Sequence, residues 1–408
     1  MKNTAWSLAR RGILAALAAL TLWAQAPAIE GLAQTPELKA IDGVLVSGAY
    51  KDQLLMFVLD TGTTTSFIDI RVAKAAGGKL SDVLNVGVIG PGVRQAGVLS
   101  RALQIQFPFA GGSIDHDFLR VEDYARASAL VGRDIHGILG ADFFRRFVVE
   151  IDYLGERVLL HHRSFRAPAH AVLVPMRFAI DRTPVVEMRM HLPAGKVVKV
   201  RAIVDTGNSG SAITTEEFAR RHRLPELLGG VAMPLGEGLG GKFSGHRARV
   251  PVLELGEFRL PESIVSLPDR NSGVLSSSRQ FDLNVGASVL KRFSVFFDYG
   301  RARMALVPNE RINDPFDGTM SGLQLATLGS PHDRVMVEGV IPDSPAAQAG
   351  FEPGDEIIEV NGERLAPLAL VDLFKRLRQP EGTEIKLTAR RRNMRGVLTL
   401  TLRRMVEP

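Results

Sequence analysis

The feature that most constrains this chain is an internal repeat. Asp60-Thr61-Gly62 returns as Asp205-Thr206-Gly207, 145 residues later. Each copy ends an apolar run, Leu54-Leu55-Met56-Phe57-Val58-Leu59 in the first case and Ala202-Ile203-Val204 in the second. Downstream, Ile138-Leu139-Gly140 matches Asn284-Val285-Gly286, with the glycines 146 residues apart. Arg146-Phe147 matches Arg292-Phe293, and Asp152-Tyr153 matches Asp298-Tyr299, both again at 146. Matches this regular point to a duplicated unit. The two copies are expected over 37–168 and 169–309, so any site built from the repeated turns should have two equivalent halves.

Within each unit the pattern is mostly β. Arg157-Val158-Leu159-Leu160 and Met304-Ala305-Leu306-Val307 are expected as matching late strands. Thr214-Thr215-Glu216-Glu217 has capping-box spacing and predicts a helix from Phe218, with a counterpart at Ile70 to Ala76. A linker rich in charge, Pro and Gly is expected at 310–319. Residues 320–405 then form a third unit. It has strands at Val335-Met336-Val337 and Glu356 to Val360, a short helix stopped by Gly350, a longer helix from Leu368 to Leu377, and a closing hairpin.

The chain has 408 residues, 45% of them hydrophobic, which suits two or three globular cores. The N-terminus has the parts of an export signal: Lys2, Arg10 and Arg11, then the apolar run Gly12 to Trp23, then small residues up to Ala28. Residues 1–28 are therefore expected to be a signal peptide, with no stable membrane span after cleavage and a periplasmic destination. Removing its three cations lowers the formal charge from +6 to +3, which gives little support to nucleic-acid binding. Cysteine is absent, which excludes disulfides and thiol catalysis. The nine histidines show no metal-ligand spacing, and no metal or cofactor is expected. Arg390-Arg391-Arg392 and Arg395 are expected on a solvated hairpin tip.

The repeated aspartates carry the chemistry. Two carboxylates in contact do not both ionise cheaply, so they share one proton. The ionised member can take a proton from water while the other donates to a carbonyl, with no metal. Gly62 and Gly207 permit close backbone approach to the carboxylates, and the Thr61 and Thr206 hydroxyls can bond across the interface.

In these motifs the two halves resemble the retropepsin-like and pepsin-like aspartic proteases, in a single-chain, two-lobed form. The resemblance covers roughly 270 residues. It implies a mainly β, pseudo-twofold, two-lobed barrel fold and peptide-bond hydrolysis by a water held between Asp60 and Asp205. Thr61, Gly62, Thr63, Thr206, Gly207 and Asn208 would support the pair. Thr63 fits the family pattern of Ser or Thr after Asp-Thr-Gly, but Asn208 departs from it, as Asn284 departs from the apolar residue usual at its position. The flap is expected at Asn85 to Gly97, with Gly87, Gly90 and Gly92 as its mobile glycines, and a second glycine-rich hairpin runs from Pro234 to Gly245.

Ser344 to Asp355, followed by Ile357, Val360, Asn361 and Gly362, resembles the PDZ domains of bacterial envelope proteases. That implies a peptide-binding groove at Gly322, Leu323, Gln324 and Leu325, with the helix from Leu368 as its other wall. The reading is an exported aspartic endopeptidase acting on polypeptides, with a PDZ domain that recruits substrate or gates the cleft. Its alternative is a non-catalytic envelope adaptor that binds peptides.

Overall fold

The computed structural model describes residues 35–406, apart from 42–43, 87–93, 180–181, 239, 270–271, 277, 279, 317, 319 and 366–368. The expected signal peptide and the glycines Gly87, Gly90 and Gly92 lie outside the described residues.

The repeat is visible as repeated topology. In the first half, strand Gln53–Leu59 delivers Asp60, and strand Gly137–Leu139 pairs parallel with it, Leu59 opposite Leu139. In the second half, strand Val197–Val204 delivers Asp205, and Leu283–Val285 pairs parallel with it, Val204 opposite Val285. Phe67–Asp69 and Ala212–Thr214 lie antiparallel to those second strands in the two halves. A helix follows each downstream glycine, Ala141–Phe144 after Gly140 and Ala287–Leu290 after Gly286. The three-residue strands are buried throughout, whereas Gln53–Leu59 and Val197–Val204 alternate and become buried towards the ends that deliver the aspartates.

The halves are joined by a sheet that reads the same from either edge. Its order is Glu37–Ile41, Arg157–His161, Val148–Asp152, Phe293–Asp298, Arg303–Pro308, Val172–Phe178. At its centre the equivalent strands Val148–Asp152 and Phe293–Asp298 pair antiparallel, Val149 opposite Phe297. Antiparallel pairing of equivalent strands places an approximate twofold axis between them. One hydrophobic cluster runs through both halves, from Phe57, Phe107 and Phe143 to Val200, Phe293 and Phe297.

Local expectations hold with small shifts. The helix Glu216–His222 starts two residues before the expected Phe218 and is capped by Thr215, whose hydroxyl accepts from Phe218 N at 3.2 Å. Its counterpart Ile70–Ala75 is capped by Asp69.

The C-terminal unit is a separate sheet, ordered Leu323–Thr327, Val335–Val340, Glu356–Val360, Glu384–Arg391, Met394–Thr401, with Glu363–Arg364 paired beside Glu356–Val360. Helix Ala369–Arg376 covers it, burying Leu370 and Leu373 against Val337, Ile357 and Leu387. The basic run is not simply solvated. Arg390 pairs with Glu356, and Arg391 pairs with buried Asp355 at 2.7 Å, because the hairpin lays both arginines back across the sheet. The connecting segment is fastened as well: Arg292 Nη1 donates to the carbonyls of Arg311, Ile312 and Asp314, and its guanidinium lies 3.7 Å from the centre of the Phe316 ring.

Candidate functional site: a carboxylate pair between two equivalent turns

Each Asp-Thr-Gly turn is pinned in the same way. Asp60 N donates to Leu139 O at 3.0 Å, and Asp205 N donates to Val285 O at 2.9 Å. Ala141 N bonds Thr63 O at 2.9 Å, and Ala287 N bonds Asn208 O at 2.8 Å. These bonds tie each turn to the strand and helix after it, so both aspartates are set by buried backbone rather than by mobile loops.

The two threonines lock the halves together. Thr61 N donates to Thr206 Oγ1, and Thr206 N donates to Thr61 Oγ1, each at 3.0 Å. The hydroxyls pass their own protons to the opposite strand, Thr61 Oγ1 to Val204 O at 2.6 Å and Thr206 Oγ1 to Leu59 O at 2.7 Å. Both side chains are buried, so every bond is made without competition from water. The glycines are required by the opposite carboxylate. A Cβ on Gly62 would sit 2.7 Å from Asp205 Cγ, and one on Gly207 would sit 2.5 Å from Asp60 Cγ. Gly140 and Gly286 pass equally close behind the turns, against Thr65 and Asn208.

Asp60 and Asp205 lie against each other's turns, close enough for their titrations to be coupled. Burial first, and then the charge of Asp205, pushes the Asp60 carboxyl up to about 8. Asp205 is also raised by burial, but four donors oppose the shift: Asn284, Asp60, Gly207 N and Asn208 N. Both carboxyls are therefore held above the usual carboxylate range, and the donors on Asp205 favour keeping the shared proton on Asp60. Asn284 Nδ2 donates to Asp205 Oδ2 at 2.6 Å, a bond that favours the ionised form of Asp205. Thr63 Oγ1, 2.9 Å from Asp60 Oδ2, is a hydroxyl and serves either protonation state.

Asn208 does not reach the outer oxygen of Asp205. Its backbone N bonds Asp205 Oδ1 at 3.2 Å, while its side-chain amide donates to Ser211 O and to Asn284 Oδ1 at 2.8 Å. The sequence reading treated Asn284 as a mismatch and left it out of the site. The signal was present: both departures from the repeat fall in the second half, and both are amides able to bond each other.

The pair lies at the floor of a cleft of about 840 Å³. Apolar Val58, Ile138 and Ile213 line it, with Tyr124 and the hairpin residues Glu237, Gly238 and Phe243. Such a floor can take a proton from a bound water or ligand and return one, the elementary requirement of acid–base catalysis. Among the described residues no group of three or more His, Cys, Asp or Glu could hold a metal ion.

The residues expected to form the peptide groove lie on a turn and an edge strand, and that strand is partly covered. Gly322 has φ +78°, and a Cβ there would strike Ser344 at 2.1 Å. Leu323 N donates to Ser321 Oγ at 3.2 Å. Gln324 and Leu325 continue the edge strand Leu323–Thr327. Helix Ala125–Val131 of the first half packs on that strand, and Thr327 Oγ1 donates to Ala129 O at 3.1 Å. Arg126 on the same helix grips Glu237 of the cleft hairpin and Glu338 of the C-terminal sheet, both at 2.6 Å.

This C-terminal unit is a PDZ domain: residues 336–391 match the PDZ domain family model. Among curated proteins the chain is similar to the carboxy-terminal processing protease CtpB of Bacillus subtilis, 26% identical over 28% of this chain and 22% of that protein. It is also similar to a probable CtpA-like serine protease of Staphylococcus aureus, 35% identical over 20% of this chain and 16% of that protein. The chain thus spans less than a quarter of the length of these relatives. Among solved structures, the HtrA3 PDZ domain bound to a phage-derived ligand matches 20% of this chain and 80% of its own, at 23% identity and TM-score 0.18. The photosystem II D1 C-terminal processing protease matches 22% of this chain and 26% of its own, at 25% identity and TM-score 0.20.

These comparisons correct the expectation of an aspartic endopeptidase. The relatives are named C-terminal processing or serine proteases, and they support a peptidase with a PDZ domain but not the aspartic class. The physical reason is that the motif behind the expectation is short, whereas the likeness that the comparisons register includes the PDZ unit.

Proposed function

We propose that this protein is a peptidase with a PDZ domain, and that the cleft over Asp60 and Asp205 is where its polypeptide substrate is handled. The observation that carries this is the pairing, in one chain, of a peptide-binding module with a buried, proton-sharing carboxylate pair at the floor of a cleft. Thr61, Gly62, Thr63, Thr206, Gly207 and Asn208 position that pair, and Asn284 joins them. The palindromic sheet and the facing turns support a finer fold reading, a two-lobed retropepsin-like architecture over 37–309. The N-terminal segment supports export to the periplasm.

The test is cleavage of an unfolded protein by wild type, Asp60→Asn and Asp205→Asn, beside labelling with a fluorophosphonate that reacts with activated serines. Cleavage by the wild type is the expected result, and no cleavage at acidic or neutral pH would overturn the peptidase reading. Variants that cleave like wild type, or a labelled serine whose replacement alone stops cleavage, would remove the pair from the reaction.

A further inference from the structure

A second cavity, of about 790 Å³, lies between the second half of the repeat, the connecting segment and the PDZ domain. It adjoins the cleft: Ser209, Gly210, Ser211 and Arg247 line both. Its far wall is formed by the PDZ loop at Ser321 and Leu323 and by Phe374 and Leu377 around the PDZ helix. A chain leaving the acid pair past Ser209–Ser211 enters this chamber.

The chamber is cationic. Arg247, Lys291, Arg292, Arg311, Arg378 and Arg404 line it, against Asp314 and Glu381. Some of these charges are engaged. Arg292 lies on backbone carbonyls, and Arg404 Nε stands 3.9 Å from Glu381. Arg247 differs. Its Nη2 reaches Leu235 O at 3.2 Å, but its buried Nε has no hydrogen-bond partner among the described residues. Burial lowers its pKa, and no carboxylate counters the shift. A guanidinium stays charged, so an unmatched N–H here is a standing desolvation cost that an anion would remove.

We propose that Arg247 is the anchor of a carboxylate-recognition subsite for the polypeptide that occupies the cleft. The inference rests on the cleft taking a peptide, as proposed above. A C-terminal carboxylate and an Asp or Glu side chain present the same two oxygens to the planar guanidinium fork. The hollow's position beyond the Ser209–Ser211 turn makes it a specificity element and leaves the proton transfers to the acid pair.

The experiment is fluorescence anisotropy with the full chain, in wild type and in an Asp60→Asn background that keeps ligands whole. Three labelled apolar peptides are compared: one with a free C-terminal carboxylate, its C-terminal amide, and that amide carrying a penultimate glutamate. At least one carboxylate peptide should bind about 10-fold tighter than the plain amide. Arg247→Gln should erase the gap and Arg247→Lys should restore part of it, with thermal melts confirming the fold. Which peptide gains distinguishes a chain end from a side chain. Equal binding of all three by wild type, or a gap that survives Arg247→Gln, overturns the proposal. Cleavage is scored separately. Hydrolysis without a gap sinks the subsite alone, a gap without hydrolysis sinks the peptidase reading alone, and no binding sinks both.

Discussion

The two halves of the repeat solve one problem with different chemistry. In the first, the outer oxygen of Asp60 receives a hydroxyl from Thr63, three residues along the same turn. In the second, the equivalent oxygen of Asp205 receives an amide from Asn284, on the neighbouring strand. Asn208 occupies the position of Thr63, and its amide supports Asn284 instead of the carboxylate. Two departures that look independent in the sequence are one compensated change. The difference teaches that a symmetric scaffold can hold an asymmetric proton. The strand pairing and the threonine lock are the same in both halves, while Asn284 and the backbone N of Asn208 give Asp205 donors that Asp60 lacks.

That comparison can be broken most forcefully at the acids. Asp60→Asn and Asp205→Asn each remove one member of a coupled pair, so cleavage should respond to both or to neither. A large loss from one and none from the other would show that the pair does not act as a unit. Next come the threonines. Thr61→Ala and Thr206→Ala each strip two buried bonds and strand their partners, so each should cost about 3 kcal/mol in denaturant unfolding. Because the lock is symmetric, the two costs should agree to within about 0.5 kcal/mol, and a clear inequality would deny the symmetry.

The outer-oxygen groups should separate the halves. Asn284→Leu removes a donor that holds Asp205 ionised, so the acidic limb of the pH–rate profile should move to higher pH. Thr63→Val removes a group that serves either state of Asp60 and should move that limb less. Equal shifts would refute the assignment of the proton.

A stability measurement tests the same assignment with the sign fixed. Asp60 has its folded pKa raised, so its carboxyl is best accommodated while protonated. The cost of ionising it grows as pH rises from the unfolded value towards about 8. Asn carries no such cost. The melting-temperature advantage of Asp60→Asn over wild type should therefore increase between about pH 4 and about pH 8, and a constant offset would contradict the raised pKa. The smallest effect is expected at Arg126→Gln. The half-exposed ion pairs with Glu237 and Glu338 should contribute less than about 1 kcal/mol to global stability. Their loss should still loosen helix Ala125–Val131 from strand Leu323–Thr327, which faster amide exchange in that strand would report.

Much of this was legible in the chain because duplication writes geometry as an offset. Two apolar runs that end in the same tripeptide, each with the same later glycine, must build two equivalent turns. The Cβ clashes at Gly62 and Gly207 explain why that tripeptide ends in glycine both times. Local chemistry was nearly as readable: helix Glu216–His222 begins two residues before its expected start, since a cap depends on neighbours in sequence. The role of Asn284 was not readable, because it acts across a strand pairing 79 residues from Asp205. The aspartic class was not a safe reading either, and the comparisons withdrew that expectation, which was drawn from a short motif.

The sequence alone determined that there would be two equivalent turns, a third unit after them, and no cysteine chemistry. Those facts depend on which residues are present and how far apart they stand. Tertiary structure alone decided that burial raises both carboxyls, that Asn284 donates to Asp205, and that Arg247 Nε has no partner among the described residues where the cleft meets a cationic chamber. Each of these depends on desolvation and on donors brought from distant strands, and such quantities exist only once the chain has closed on itself.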